Sequence, residues 1–204
     1  MVEALDYALS GCTEVRLPNV DTYTSLCTQV NYGAVIELVM RNGRLKDRGD
    51  EVFTFETGDP ESFATYEEFR EAFKKQLQWM LRHAMFMQYR IERMRARTFA
   101  CPFESMLSDV AFAACRDLDS VEKIPGGVDL AYYECIGFAT AVDSLAAVKK
   151  MVYDDKLVSM KELKEALDCN FEGKTGLREL LRNCLLYTSP SPRDQRGSRM
   201  PSSA

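Results

Sequence analysis

One cysteine in this sequence has neighbours suited to chemistry. Cys12 follows Gly11 and precedes the carboxylate of Glu14 by two residues, within a stretch, 10–24, whose glycine, proline, asparagine and aspartate predict a loop. A nucleophilic thiol needs a cation or a helix N-terminus nearby, because these stabilise the thiolate. A carboxylate does the opposite, since it raises the pKa of a thiol. The pattern therefore disfavours thiolate chemistry.

A radical reaction fits the same residues better. A thiyl radical forms when a neutral thiol loses a hydrogen atom, so suppression of the thiolate costs nothing. Glu14 could then accept or donate a proton while a substrate radical reacts. From spacing alone, a structural loop cysteine is the alternative interpretation of Cys12.

The overall composition excludes several classes of protein. The chain has 204 residues, 46% hydrophobic and 28% charged, with 26 basic and 31 acidic side chains and a net charge of −5. These values are typical of a globular protein and disfavour a nucleic-acid binder. No apolar run reaches the roughly 18 residues that a membrane helix needs, and the N-terminus lacks the pattern of a secretion signal. We therefore expect a cytoplasmic protein that binds neither nucleic acid nor membrane.

Metal and cofactor sites are not indicated by the sequence motifs. The seven cysteines contain no C-x-x-C pair, which disfavours a zinc site or a disulfide framework. No G-x-G-x-x-G or G-x-x-x-x-G-K loop is present, so no nucleotide-binding loop is predicted. The only histidine, His83, lies within a long predicted helix, where a structural role is more common than catalysis. We expect neither a metal nor a cofactor bound by this segment.

Hydrophobic spacing predicts the elements that position the loop. Apolar residues at helical spacing and S/T-x-x-E capping boxes at Thr65 and Ser159 indicate a helix-rich α/β or all-α chain. The predicted helices are 29–42, 65–97, 105–118, 143–153 and 159–169, and the predicted strands are 52–55 and 131–138.

The composition changes abruptly near the end of the sequence. Residues 184–204 are rich in proline and serine, and after Tyr187 they lack apolar periodicity, which predicts disorder. CLLYTSPSPRD and SRMPSSA also resemble the translation of a transposon-type sequencing adaptor, with room between them for a short index. We therefore expect residues 184–204 to be an adaptor-derived, disordered tail that follows a single partial domain, 1–183.

Several blocks of the sequence carry a family resemblance. SGCTE resembles the cysteine loop of the glycyl radical enzymes, the pyruvate formate-lyase superfamily, whose dehydratase and lyase branch reads GCVE. The resemblance continues in order over most of residues 1–183. It includes TGDP with EEF at 57–69, GFATAVDSLAAVKK at 137–150 and NFEG at 170–173.

This resemblance implies a fold and two catalytic residues. It implies that the chain is an internal fragment of a ten-stranded α/β barrel, predominantly helical in this segment. Cys12 would carry the thiyl radical, and Glu14 would act as the general acid or base. Glu104 stands where the family is usually apolar, so it is a candidate substrate contact, with a solvated loop glutamate as the alternative.

The resemblance also implies partners. The glycine that carries the radical belongs to a motif outside this chain, and a radical S-adenosylmethionine activase installs the radical. The full-length parent would be a homodimer that acts on a small molecule, and the fragment alone would be inactive.

Three functions remain open at this point. The first is a lyase or dehydratase that cleaves a C–O, C–N or C–S bond. The second is an arylacetate decarboxylase or an acyl-cleaving enzyme, although acyl cleavage uses adjacent cysteines and Thr13 follows Cys12 here. The third is a non-catalytic helical interaction module that ends at Ala204.

Overall fold

The structure is a computed structural model, and it covers the chain in several stretches. Cys12 and residues 189–204, which form most of the predicted tail, lie outside them. The described residues are 7–11, 14–18, 20–22, 27–49, 51–120, 122–128 and 132–188.

Helices dominate the described part of the chain, as the sequence predicts, and 58% of the chain is helical. No closed barrel is present within the described stretches. The helices are α1 Tyr32–Met40, α2 Tyr66–Thr98, α3 Pro102–Leu107, α4 Asp109–Ala114, α5 Phe138–Val148, α6 Met160–Asp168 and α7 Thr175–Thr188. A π-helical turn, Lys149–Asp154, follows α5 directly.

The strands form two small sheets. Strands β1, Ala8–Ser10, and β2, Glu14–Arg16, pair antiparallel. Strands β3, Cys27–Asn31, and β4, Tyr132–Ile136, pair in the second sheet. Only the second sheet contains residues from distant parts of the sequence.

The chain divides into two compact units. The first comprises residues 1–30 and 81–135, and the second comprises residues 31–80 and 136–204. The first unit holds the β1–β2 hairpin and most of the β3–β4 sheet.

The second unit contains a hydrophobic core built from helix faces. Val35 of α1, Phe69 of α2, Val148 of α5 and Leu163 of α6 are buried together. Apolar residues recur at helical spacing along each of these helices and form one apolar stripe per helix. Burial of these stripes holds the helices together.

Local capping signals are confirmed. Glu68 N donates to Thr65 Oγ1 at 3.3 Å, and Thr65 N donates to Glu68 Oε2 at 3.2 Å, which closes the box at the start of α2. The box predicted at Ser159 opens α6 in the same way. Because both partners of such a box lie within four residues, the sequence pattern suffices to predict it.

Four predicted elements are wrong in extent. The helix predicted over 143–153 begins five residues earlier, at Phe138. The helix predicted over 105–118 is two helices, because Ser108 adopts an extended backbone and its side chain caps α4 by accepting from Ala111 N. The helix predicted over 29–42 begins only at Tyr32, since residues 27–31 form β3. The strand predicted over 52–55 is a single bridge between Arg44 and Val52.

The backbone of α7 continues to Thr188, beyond the expected start of the tail at Cys184. The adaptor origin of residues 184–204 stays a prediction.

Candidate active site

The cysteine loop is built on the β1–β2 hairpin. Ser10 pairs with Glu14, and Leu9 pairs with Val15, so residues 11–13 connect the two strands. Cys12 lies outside the described residues. Its neighbours in the sequence, Gly11 and Glu14, are described, and they show where the loop enters and leaves the hairpin.

The Glu14 carboxylate lies beside Gly11, the first residue of the connection between β1 and β2. A Cβ atom built on Gly11 would lie 2.6 Å from Glu14 Oε2 and 2.9 Å from Oε1, so the carboxylate occupies the space that a side chain at position 11 would need. Gly11 also has a φ of +58°, in the left-handed region that glycine adopts most easily. The positive φ therefore favours glycine beside Cys12, and any side chain at position 11 would displace the Glu14 carboxylate from its place.

A tyrosine from the second sheet contacts the hairpin. The Tyr132 hydroxyl on β4 donates a hydrogen bond to the backbone oxygen of Val15, the residue after Glu14. Burial raises the pKa of Tyr132, the carboxylates of Asp21 and Glu14 raise it further, and Arg16 opposes them. The phenol therefore lies in a predominantly acidic environment, and it stays protonated beyond its ordinary range.

A buried ion pair holds the segment that follows β2. Arg16 Nε lies 2.6 Å from Asp21 Oδ2, and the Asp21 side chain is only 2% exposed. On either side of Asp21, the backbone pairs with Val128: Val128 N donates to Val20 O at 2.8 Å, and Thr22 N donates to Val128 O at 3.0 Å. The described residues of the predicted loop 10–24 therefore belong to a hairpin and to an anchored turn that follows it.

The β3–β4 sheet adds polar side chains to the same unit. Gln29 Nε2 donates to Glu134 Oε2 at 2.9 Å, and Thr28 Oγ1 donates to Gln88 Oε1. Gln88 Nε2 in turn donates to Glu92 Oε1 at 2.7 Å. Thr28, Gln88 and Glu92 thus form a hydrogen-bonded chain between the sheet and α2, and the Gln29–Glu134 bond joins the two strands.

Glu104, the predicted substrate contact, lies in the first turn of α3 and is exposed. No hydrogen bond or ion pair joins it to the hairpin within the described stretches. The structure therefore gives Glu104 a helix-terminal position, and its role in substrate binding stays a proposal.

A cluster near α3 was missed by sequence reasoning. Cys101 Sγ donates to Asp117 Oδ1 at 3.1 Å, Cys101 N donates to Asp117 Oδ2 at 2.9 Å, and Arg95 lies 3.1 Å from Asp119. Burial raises the pKa of Cys101, and the bond to Asp117 raises it further. Burial acts to raise the pKa of Asp117, but the hydrogen bonds it accepts, that of Cys101 Sγ foremost, lower it overall.

The cluster resembles a metal site in its atom types. The ligand atoms of Cys101, Asp117 and Asp119 lie within 4.8 Å of one another. Hydrogen bonds and the ion pair with Arg95 already engage these three side chains. The cluster therefore links the start of α3 to the turn after α4. Sequence patterns did not indicate this cluster, since nothing in the spacing reveals that Asp117 folds back onto Cys101.

The second unit contains a cavity of about 630 Å³, and charged side chains line it. These charges are paired: Arg41 bonds Asp168, Lys46 Nζ donates to the Asp168 backbone oxygen at 2.8 Å, and Lys164 lies 2.9 Å from Glu61. The cavity belongs to the unit that lacks Glu14, so we do not assign it to the candidate active site.

No described helix is long and apolar enough to cross a membrane.

Comparison with known proteins agrees with the sequence resemblance. The chain is 48% identical over 185 residues to isethionate sulfite-lyase of Oleidesulfovibrio alaskensis, covering 91% of this chain and 22% of that protein. It is 34% identical over 176 residues to trans-4-hydroxy-L-proline dehydratase of Clostridioides difficile, covering 85% and 21%. It is also 32% identical to the glycyl radical subunit of 4-hydroxyphenylacetate decarboxylase from the same species, covering 86% and 21%.

The fold agrees as well. The crystal structure of hydroxyproline dehydratase from Clostridioides difficile with bound trans-4-hydroxy-L-proline matches with a TM-score of 0.76 and 33% identity, covering 85% of this chain and 21% of that one. The predicted fold class is thereby confirmed as part of a glycyl radical enzyme barrel.

The chain spans about 22% of the length of the sulfite-lyases it matches. The profile of the family described as pyruvate formate lyase-like matches residues 1–189. The chain therefore belongs to the pyruvate formate lyase-like family.

Proposed function

We propose that this chain is a segment of a glycyl radical lyase or dehydratase that cleaves a C–O, C–N or C–S bond in a small molecule. The observation that carries the proposal is the β1–β2 hairpin, which holds the Glu14 carboxylate against Gly11, immediately before Cys12. Sulfite-lyase and dehydratase relatives support this reaction class. Among the three bonds, the similarity to isethionate sulfite-lyase favours C–S cleavage of a small sulfonate.

Cys12 and Glu14 divide the reaction between them. A radical S-adenosylmethionine activase installs a protein glycyl radical outside this chain. This radical accepts the hydrogen atom of the Cys12 thiol. The Cys12 thiyl then takes a hydrogen atom from the substrate carbon and becomes a thiol again. Glu14 takes the substrate hydroxyl proton while the leaving group departs with its bonding electrons. Cys12 finally returns a hydrogen atom to the product radical, which restores the thiyl.

The surroundings of Glu14 suit this role. Glu14 is half-buried, and its carboxylate lies directly against the backbone of Gly11, in the space that a side chain at position 11 would occupy. Fixed placement of a proton acceptor lowers the barrier, because little reorganisation is needed when the reaction occurs.

Arylacetate decarboxylation is the second candidate. It is supported by the similarity to the 4-hydroxyphenylacetate decarboxylase subunit, and it would use the same Cys12 and Glu14. Glu104 could contribute to either reaction as a contact for a hydroxyl or ammonium group. We place the parent enzyme in the cytoplasm as a homodimer.

The test uses the full-length enzyme recovered from the source DNA and activated without oxygen. We expect a glycyl radical signal in electron paramagnetic resonance spectra and release of sulfite from isethionate. Cys12→Ala and Glu14→Gln should abolish turnover while the radical signal persists. Release of carbon dioxide from an arylacetate would instead favour the second candidate. Full turnover by Cys12→Ala, or a parent sequence without a radical-bearing glycine motif, would overturn the proposal.

A further inference from the structure

We propose that Tyr132 is a positioning residue of the reaction: its hydroxyl holds β2 at Val15 and thereby fixes the placement of the Glu14 carboxylate. This inference rests on the proposed function of Glu14. It assigns a role to a residue that lies 117 positions from Val15 in the sequence.

The hairpin has little stability of its own. Among the described residues, its pairs are Ala8–Arg16, Leu9–Val15 and Ser10–Glu14. Leu9 is 68% exposed and Val15 is 52% exposed, so the apolar side chains of its central pair contribute little burial. An isolated two-stranded hairpin is marginally stable in water, and it needs contacts with a further element.

Tyr132 supplies such a contact next to the reacting group. Its hydroxyl bonds the carbonyl of Val15, one residue beyond Glu14, and Val15 is the residue whose partner across the hairpin is Leu9. The ion pair of Arg16 with Asp21 and the bonds to Val128 hold the chain further along, at residues 16–22. Tyr132 therefore acts at the point in β2 where a shift would move the Glu14 carboxylate most directly.

The local electrostatics keep the tyrosine in its donor form. Burial and the carboxylates of Asp21 and Glu14 raise the pKa of Tyr132 above its ordinary value near 10. The phenol is therefore neutral throughout the physiological range, and it can donate to Val15 at any working pH.

The test compares Tyr132→Phe with Tyr133→Phe in the activated full-length enzyme. Tyr133 is the matched control, because it follows Tyr132 on β4 and thus points to the opposite face of the strand. At equal glycyl radical content, we expect Tyr132→Phe to lower kcat about tenfold, the equivalent of about 1.4 kcal/mol, with KM changed less than about twofold. Tyr133→Phe should leave kcat within about twofold of the unmodified enzyme.

Amide hydrogen exchange gives a second readout that does not depend on turnover. Peptides covering residues 8–16 should exchange faster in Tyr132→Phe and at the normal rate in Tyr133→Phe. A kcat that stays within twofold, an equal loss in both variants, or unchanged exchange in 8–16 would overturn the role of Tyr132. Failure of the proposed function would give a different result. Turnover would then survive in Glu14→Gln, while amide exchange in the hairpin would still depend on Tyr132.

Discussion

At the scale of single residues, Gly11 is as closely tied to the site as the two residues that would perform the chemistry. A methyl group at position 11 would meet the Glu14 carboxylate at 2.6 Å, and it would also be strained by the φ of +58°. Either effect alone would disturb the loop. A control is a glycine of positive φ in the unit that lacks Glu14, with no neighbour beside its Cβ.

Gly49 is that glycine. Its φ is +71°, and nothing lies within 4 Å of a Cβ built there. We expect Gly11→Ala to lower kcat by about a hundredfold, because it displaces the carboxylate as well as straining the turn by roughly 1–2 kcal/mol. Gly49→Ala strains a turn in the unit that lacks Glu14, so its kcat should be unchanged. Steady-state kinetics at matched radical content measures both, and equal effects in the two variants would contradict the assignment.

The Cys101–Asp117 contact gives a prediction about thiol reactivity. Because burial and the bond to Asp117 raise the pKa of Cys101, little thiolate forms there at mildly alkaline pH, and Cys101 is also less accessible to a reagent than the exposed Cys115. Iodoacetamide labelling at pH 8, followed by peptide mass spectrometry, should modify Cys115 several times faster than Cys101. Asp117→Asn should accelerate the labelling of Cys101, whereas Asp109→Asn, on α4, should not. Fast labelling of Cys101 in the unmodified chain would contradict this.

The raised pKa of Cys101 also determines how its contribution to folding stability changes with pH. A thiol whose pKa is raised by folding contributes stability that is fully present below its ordinary pKa. That contribution is lost as the pH rises through the folded pKa. Asp117 behaves in the opposite sense: its lowered pKa contributes stability above the ordinary carboxyl range, and acid removes it.

At the scale of elements, one side chain joins the end of α1 to the TGDP block of the family resemblance. Asn42 Oδ1 accepts from Thr57 N at 2.8 Å and from Gly58 N at 2.9 Å. Asn42 also has a φ of +49°, which asparagine tolerates better than most residues. The end of α1 is thus tied to the TGDP turn that precedes α2.

Asn42→Ala should therefore loosen the TGDP turn. It leaves two backbone N–H groups without their acceptor, at a cost of about 1–3 kcal/mol for each group that stays buried. We expect faster amide exchange at residues 57–58 by mass spectrometry. Asn170→Ala is the matched control, because Asn170 has a φ of +50° and accepts no hydrogen bond from that turn. Exchange at 57–58 that is equal in both variants would contradict the role of Asn42.

The elements also show what sequence alone can predict. The capping boxes at Thr65 and Ser159 and the long helix α2 follow from patterns within a few residues, so their prediction succeeded. The break between α3 and α4 at Ser108 was not predicted. Serine is compatible with a helix interior, and its capping role depends on the backbone around it. The contacts of Tyr132 with Val15 and of Asn42 with Thr57 link distant positions, and no local pattern encodes them.

At the scale of the whole molecule, the described strands are too few to form the barrel that the resemblance implies, and apolar side chains are left uncovered. On α3 and α4, Phe103 is 73% exposed and Met106, Leu107 and Phe112 are each 66% exposed. Several large apolar side chains exposed on two consecutive helices indicate a face that contacts another element or another molecule. In a barrel enzyme, the remainder of the chain would cover it.

The 204-residue chain expressed alone should therefore self-associate. We expect size-exclusion chromatography with light scattering to show species larger than a monomer, together with strong binding of a hydrophobic dye. The double variant Phe103→Ser/Met106→Ser should reduce both, because it removes apolar area from α3. Asp109→Asn/Glu122→Gln, which changes charge but no apolar area in the same unit, should leave both unchanged. A monodisperse monomer without dye binding would instead favour an independent helical module, since such a module buries its own apolar faces.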